Sequence, residues 1–367
     1  MKKVYLLSVL LLLGSSFVMA QAIPVPFLED RWDTRSGKMV PETYLGKEGI
    51  LLQSGMIFLK DIDFLDGSIE VDISFPLQRS FPGVLFRAMD TANFEIFYVR
   101  PHQSGNPDAT QYTPTFNDQA SWQLYQGTGY GQPYTFTFNS WHHLRIDVKG
   151  LQAEIFLDDM QKPFMKVPEL KLDWKAGKIG LMAGGKPVHF ANFQYTPGKG
   201  ASPARQPVPV NGTDGLITQW EVSNIVRGDL FGKPVQLSRD SIPELTWTTR
   251  RTDPFGLIDF SAFNKLTKEI NTVVAVTRIR SERNQLKLIS FGFSDQVTVY
   301  VNGVPVYTGS DGFLSRDYRF FGTIGYFDKV FLPLKKGLNE VWFVVSEDFG
   351  GWGLKAKFEN MDHIRLK

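Results

Sequence analysis

The sequence predicts an all-β protein: two β-sandwich (jelly-roll) domains joined by a proline-rich linker, after a cleaved signal peptide. Three observations carry this. Short segments alternate apolar and polar residues with period two, as in GSIEVDISF at 67–75 and FEIFYVR at 94–100. Tight-turn residues separate such segments, with Lys149-Gly150 and Asn302-Gly303 reading as hairpin turns. Between 196 and 214 the chain reads TPGKGASPARQPVPVNGTD, without an aromatic residue, which predicts an extended, semi-rigid linker.

Taken in chain order, residues 1–20 carry Lys2-Lys3, an apolar run from 4 to 13 and small residues ending at Ala20. A positive start, a short apolar stretch and a small-residue cut site predict a secretory signal peptide. The run is too short to span a bilayer, and no later stretch is apolar for long enough. The mature protein is therefore expected in the periplasm or secreted. Residues 23–195 predict the first sandwich, with strands near 67–75, 94–100, 143–148, 152–157, 178–182 and 189–195. After the linker, residues 215–367 predict the second, with strands near 272–280, 296–301 and 304–307. A further hairpin is expected between 329–334 and 339–345 across Lys335-Lys336-Gly337.

Composition narrows the function. The chain has 367 residues, 43% hydrophobic and 21% charged, and no cysteine. That excludes disulfides, a thiol nucleophile and cysteine metal sites. Without Lys2 and Lys3 the 38 acidic residues are matched by equal numbers of basic ones. A nucleic-acid binder needs a basic surface, so none is expected. No His-Glu-x-x-His pair, Gly-x-Ser-x-Gly elbow, phosphate loop or dinucleotide glycine pattern occurs. No cofactor is expected, although Asp108 or Asp311 on sandwich loops could hold structural calcium.

The densest chemistry runs from Tyr98 to Tyr130. Tyr98, Arg100, His102, Asp108, Gln111, Tyr112, Trp122, Tyr125 and Tyr130 combine planar polar groups with flat rings. Sugars need both, hydroxyl partners and a stacking face. A strand is expected to end at Arg100 and release a long polar loop, which either binds a ligand or packs on its own aromatics. In the second half, Arg316, Asp317, Arg319 and, on a glycine-rich turn, Trp352 form a second candidate. They either line a sugar site or form ion pairs and face the other domain. Glu70 and Asp72 share a strand face, and His142 and His143 point to opposite faces.

On the segments GSIEVD at 67–72, GVLFR at 83–87, FEIFY at 94–98, WHHLRI at 141–146 and GKIGL at 177–181, the first half resembles the concanavalin A-like lectin and glucanase superfamily, in its laminin G-like branch. The GVLFR and FEIFY pair is also similar to bacterial 3-keto-disaccharide hydrolase-type domains. With WEVS at 220–223, VYVNG at 299–303 and LPLKKGLNE at 332–340, the second half is similar to galactose-binding-like jelly rolls. The resemblance implies facing antiparallel sheets and carbohydrate recognition. Retaining glucanases of this fold use a third strand acid where this chain has Ser74 or Phe75, so that chemistry is not expected. The leading expectation is a binder of a glycan or glycoconjugate that does not cleave it. The alternatives are a hydrolase or lyase acting on a modified sugar, with acid/base work at Glu95, His102 or Asp108, and a scaffold that docks a protein through its second sandwich.

Overall fold

The computed structural model describes residues 21–198, 215–231, 236–315 and 322–367. The proposed leader, most of the proposed linker, and Arg316, Asp317 and Arg319 lie outside them. The described chain is all-β, with short 3-10 turns and no α-helix.

Fifteen strands between Ile23 and Pro197 form one antiparallel ladder. Its long member, Lys47–Leu59, serves two limbs. It pairs with Lys178–Gly184 through Gly55 to Phe58 and with Val188–Pro197 through Gly49 to Leu52. One limb continues through Phe81–Ala88, Phe94–Val99 and Thr110–Phe116; the other through Gly67–Ser74, His142–Lys149 and Gln152–Leu157. Alternation dictates what faces inward. Leu144, Ile146 and Val148 enter the core from one limb, and Val84, Phe86, Phe97 and Tyr112 from the other. His142 turns inward onto Phe75 while His143 faces outward, as their adjacency predicts. The Lys149-Gly150 turn closes its hairpin with Gly150 at φ 60.

The remaining strands form two sheets. The larger runs Trp247–Arg251, Gln219–Ser223, Ile270–Ser281, Gly337–Ser346, Gln296–Val301 and Val304–Ser310. The smaller runs Leu257–Asp259, Gly353–Phe358, Gln285–Ser294 and Asp328–Leu334. They enclose Val273, Ala275, Val299 and Phe343 against Ile289, Phe291, Phe293 and Leu354. Asn302-Gly303 forms the expected turn, both residues at positive φ. Lys335 to Gly337 does not make a hairpin. Asp328–Leu334 pairs in the small sheet and Gly337–Ser346 in the large one, so the chain crosses between sheets here. Asn339 holds that corner, its Oδ1 accepting from Lys335 N at 2.9 Å and its Nδ2 donating to Lys335 O at 2.8 Å.

The two halves meet on residues 117–126. Ser121 and Ser261 share a hydroxyl contact of 3.1 Å, Tyr125 donates to Asp259 at 3.3 Å, and Gln123 N donates to Gly350 O at 2.9 Å. Leu257 and Ile324, from the second half, are buried in the first core.

Candidate functional site

The expected long loop after Arg100 is short. A single 3-10 turn, Pro101–Gln103, and a few further residues lead into Thr110–Phe116, which returns against Phe94–Val99. The β-branched and aromatic content of TQYTPTF explains the return. Period two then splits the candidates between two faces.

On the outer face Tyr98 lies opposite Gln111, with Arg100 beyond. The Tyr98 hydroxyl donates to Gln111 Oε1 at 3.1 Å and accepts from Arg100 Nη2 at 2.5 Å. Arg100 Nη2 also donates to Gln111 Oε1, and Nη1 to the Asp108 carbonyl at 2.7 Å. Gln111 Nε2 donates to the Trp122 and Tyr125 carbonyls. Arg100, 5% exposed, is thus a buried cation whose nearest carboxylate, Asp108 Oδ2, stands 4.0 Å away. Two buried atoms beside it have no hydrogen-bond partner among the described residues, Asp108 Oδ1 and His102 Nδ1. Burial pushes the Asp108 carboxyl up, against the pull of Arg100. Burial, then Arg79 and Arg100, bring His102 down to about 4, so its ring is neutral at pH 7.

The Arg100 guanidinium lies 5.7 Å from the Trp122 ring centroid. Trp122 is half-buried and meets two rings from the second half, Phe313 at 6.4 Å and Phe349 at 6.0 Å, which meet each other at 5.8 Å. Phe313 is 40% and Phe349 57% exposed. Three rings from both halves therefore form an aromatic surface over the Arg100 network.

Four candidates are on the inner face or in the core instead. Glu95 is sealed, Oε2 accepting from the Tyr112 hydroxyl at 2.5 Å and Oε1 from Leu172 N at 2.9 Å. It cannot reach a substrate as acid or base. Tyr112, Tyr125 and Tyr130 pack on one another at 5.5 to 5.9 Å inside the first core, so they offer no stacking face. Trp352 is also corrected. It is fully buried, packs on Phe260 and donates to Val345 O at 3.3 Å. The glycine-rich turn it ends exposes Phe349 instead. Sequence reasoning missed Phe313 and Phe349; the signal for Phe349 was the Gly350-Gly351 pair beside it.

Glu70 and Asp72 lie on the opposite, outward face of the first sandwich, where sequence reasoning missed their partners. Asp72 Oδ1 lies 2.6 Å from His143 Nδ1, and Oδ2 accepts from Lys47 and Asn192, each at 2.6 Å. Glu70 Oε2 lies 3.3 Å from His143 Nε2. Among the described residues no group of three or more histidines, aspartates or glutamates is placed to hold a metal ion, at Asp108 and Asp311 included.

Residues 28–196 match the model of a family described as the 3-keto-alpha-glucoside-1,2-lyase-like domain. No curated protein is similar to the chain. Among solved structures, a carbohydrate-binding module of Bacillus subtilis is similar at 17% identity over 45% of this chain and 95% of that one, with a TM-score of 0.37. A Bacillus subtilis protein of galectin-like fold is similar at 10% identity, over 46% and 90%, with a TM-score of 0.35. A glycosyl hydrolase family protein of Mycobacterium fortuitum is similar at 10% identity, over 45% and 91%, with a TM-score of 0.30. No helix of the described chain is long and apolar enough to cross a membrane.

Proposed function

We propose that the chain recognises a glycan or glycoconjugate outside the cytoplasm and does not cleave it. The observation that carries this reading is the aromatic surface of Trp122, Phe313 and Phe349 above Arg100. Apolar sugar faces stack on such rings, and hydroxyls need donors and acceptors that the protein has left free. Asp108 Oδ1 and His102 Nδ1 lack partners among the described residues but are sealed from solvent, so the reading rests on the rings and not on these atoms. The family match supports the sugar class, and the leader pattern at 1–20 supports the compartment. The test is retention of the chain from Gln21 onward on a glycan array. Trp122→Ala should lower retention about tenfold, the loss of roughly one stacking contact, with the fold intact. Unchanged retention by a folded variant would remove this surface from the reading.

A second reading is supported by the same family match: a lyase acting on a 3-keto sugar. The C2 proton beside the ketone would go to a neutral base, the C1–oxygen bond would break, and the leaving oxygen would take a proton as the C1–C2 double bond forms. His102, neutral at pH 7 and only partly buried, suits the base and, once protonated, the acid; Asp108 is sealed and cannot reach a substrate. Incubation with a 3-keto-glucoside, read by the absorbance of the unsaturated product, separates the two. Turnover lost in His102→Ala would replace the binding reading with this one.

A further inference from the structure

Beside the contact between the two halves lies a cleft of about 1130 Å³. That exceeds the usual volume of a small-ligand pocket, roughly 300–1,000 Å³, and suits several linked sugar units. Its lining includes the Lys149–Gln152 turn and the segment around Lys171 and Trp174 from the first half, and Thr249 to Pro254 with Phe263 from the second. Within it two carboxylates share one cation. Lys171, with its side chain 7% exposed, lies between Glu169 at 2.8 Å and Asp253 at 3.0 Å. Asp253 is further engaged by the backbone N–H groups of Phe255 and Leu257.

The other lining cations differ. Arg250 lays its guanidinium over Phe263, 4.5 Å from the ring centroid, and among the described residues no carboxylate pairs with it. Arg251, next to it, and Lys149, from the first half, are exposed and likewise have no ion-pair partner among the described residues. The lining carboxylate Asp173 already has Lys175 at 3.6 Å. So three cations without an ion-pair partner among the described residues line one cleft, whose lining also carries Glu169, Asp173, Asp253 and Asp259. A guanidinium stacked on a ring is held flat with its fork of donors free, the arrangement that takes a carboxylate or sulfate in two parallel hydrogen bonds. Gln152, Gln219, Thr249 and Thr252 add neutral partners for hydroxyls, and Trp174 adds a ring.

We propose that this cleft is a second binding site, separate from the Trp122 surface, for an acidic oligosaccharide whose carboxylates or sulfates engage Arg250, Arg251 and Lys149. The test is calorimetry on the full chain from Gln21 with three tetrasaccharides: an oligogalacturonate, a sulfated heparin fragment and neutral maltotetraose. An acidic tetrasaccharide should bind and the neutral one should not enter this site, with affinity falling as salt rises. Whichever acidic probe binds more tightly identifies the anionic group. Arg250→Gln with Arg251→Ala should weaken it about tenfold or more, the loss of charge-assisted hydrogen bonds. Exposed Lys149→Glu and Arg251→Glu, which leave the Phe263 stack in place, should do the same. Trp122→Ala should change nothing here, so the two sites fail separately. Equal binding of the neutral and acidic probes, binding of none, or unchanged affinity in the folded variants would overturn the proposal.

Discussion

Two sealed glutamates sit in different surroundings. Glu95, inside the first sandwich, is 0% exposed and has both oxygens bonded, to the Tyr112 hydroxyl and to Leu172 N, with the Arg87 charge nearby. Glu347, where the two halves meet, is 1% exposed; Oε1 accepts from Gly351 N at 3.0 Å, and Oε2 has no well-formed hydrogen bond among the described residues, the nearby Ser294 hydroxyl being a minor influence. Burial raises the pKa of both, and for Glu347 the neighbouring Asp295 carboxyl adds to it. The difference separates two uses of a buried charge. A completed network holds a core together, whereas an incomplete one costs stability and persists where something else is served. Glu347 neighbours Phe349 in sequence, and Asp108, with its own bare oxygen, lies beside the Arg100 that underlies Trp122.

The largest effect should come from the completed network. Glu95→Ala leaves the Tyr112 hydroxyl and Leu172 N buried without an acceptor and removes a counter-charge from Arg87. A cost of about 3–5 kcal/mol is expected in denaturant unfolding, the range for breaking a buried charged network. A cost below about 1 kcal/mol would end the distinction between the two glutamates.

Gly350→Ala comes next, because it strikes the seam itself. Gly350 has φ +110, and an added Cβ would stand 2.5 Å from Gln123 Cδ and 2.9 Å from Trp122 Cζ2. Only glycine lets the second half approach this closely. The substitution should cost about 2–3 kcal/mol and displace the Trp122 ring, seen as a shift in tryptophan fluorescence. An unshifted spectrum at full stability would mean that the seam does not hold Trp122 in place.

Glu347→Gln tests the incomplete network and should go the other way. The carboxyl takes up its proton more readily in the folded chain, so the folded state holds the extra proton above the ordinary value near 4.5. Stability therefore falls as pH rises from that value through the raised one. The amide carries no such term. Thermal melts between about pH 5 and pH 8 should show the variant gaining roughly 1 kcal/mol toward neutral pH, and a shallower pH slope than the parent. A variant with the parent's slope would locate the titrating group elsewhere.

How much of this was legible follows from range. The hairpin turns at Lys149-Gly150 and Asn302-Gly303 are local chemistry, and period two placed His142 and His143 on opposite faces, whereas the return of Gln111 against Tyr98 was hidden in an expected loop. Period two says which residues share a face, not which face another part of the chain will cover. Tyr125 became core because Asp259 and Leu257 arrive from more than a hundred residues away. Trp352 and Phe349 stand on one glycine-rich turn, and only the packing of Phe260 decides which is buried. The same holds at Lys335, where the local turn residues fit a hairpin but Asn339 and the pairing of Gly337–Ser346 with Ile270–Ser281 send the chain to the other sheet. Asp72 was visible as a strand acid; its partners Lys47, His143 and Asn192 come from three other strands.

Glu70 supplies the weakest test and a third case for the comparison, a carboxylate with water on one side. Its side chain is 22% exposed and that of His143 34%. His143 is raised first by its bond to Asp72, and the contact with Glu70 is a lesser cause. The stabilisation it brings is present in full below the ordinary histidine value near 6.5 and is lost as pH rises through the raised one. Glu70→Gln removes only the lesser cause. The His143 titration, followed by NMR, should move down slightly toward the ordinary value, and stability below pH 6 should fall by less than about 0.5 kcal/mol, because solvent screens the pair. A larger loss would mean that an exposed carboxylate can matter as much as the sealed one at Glu347, and that completeness of the network, rather than contact with water, sets what each carboxylate contributes.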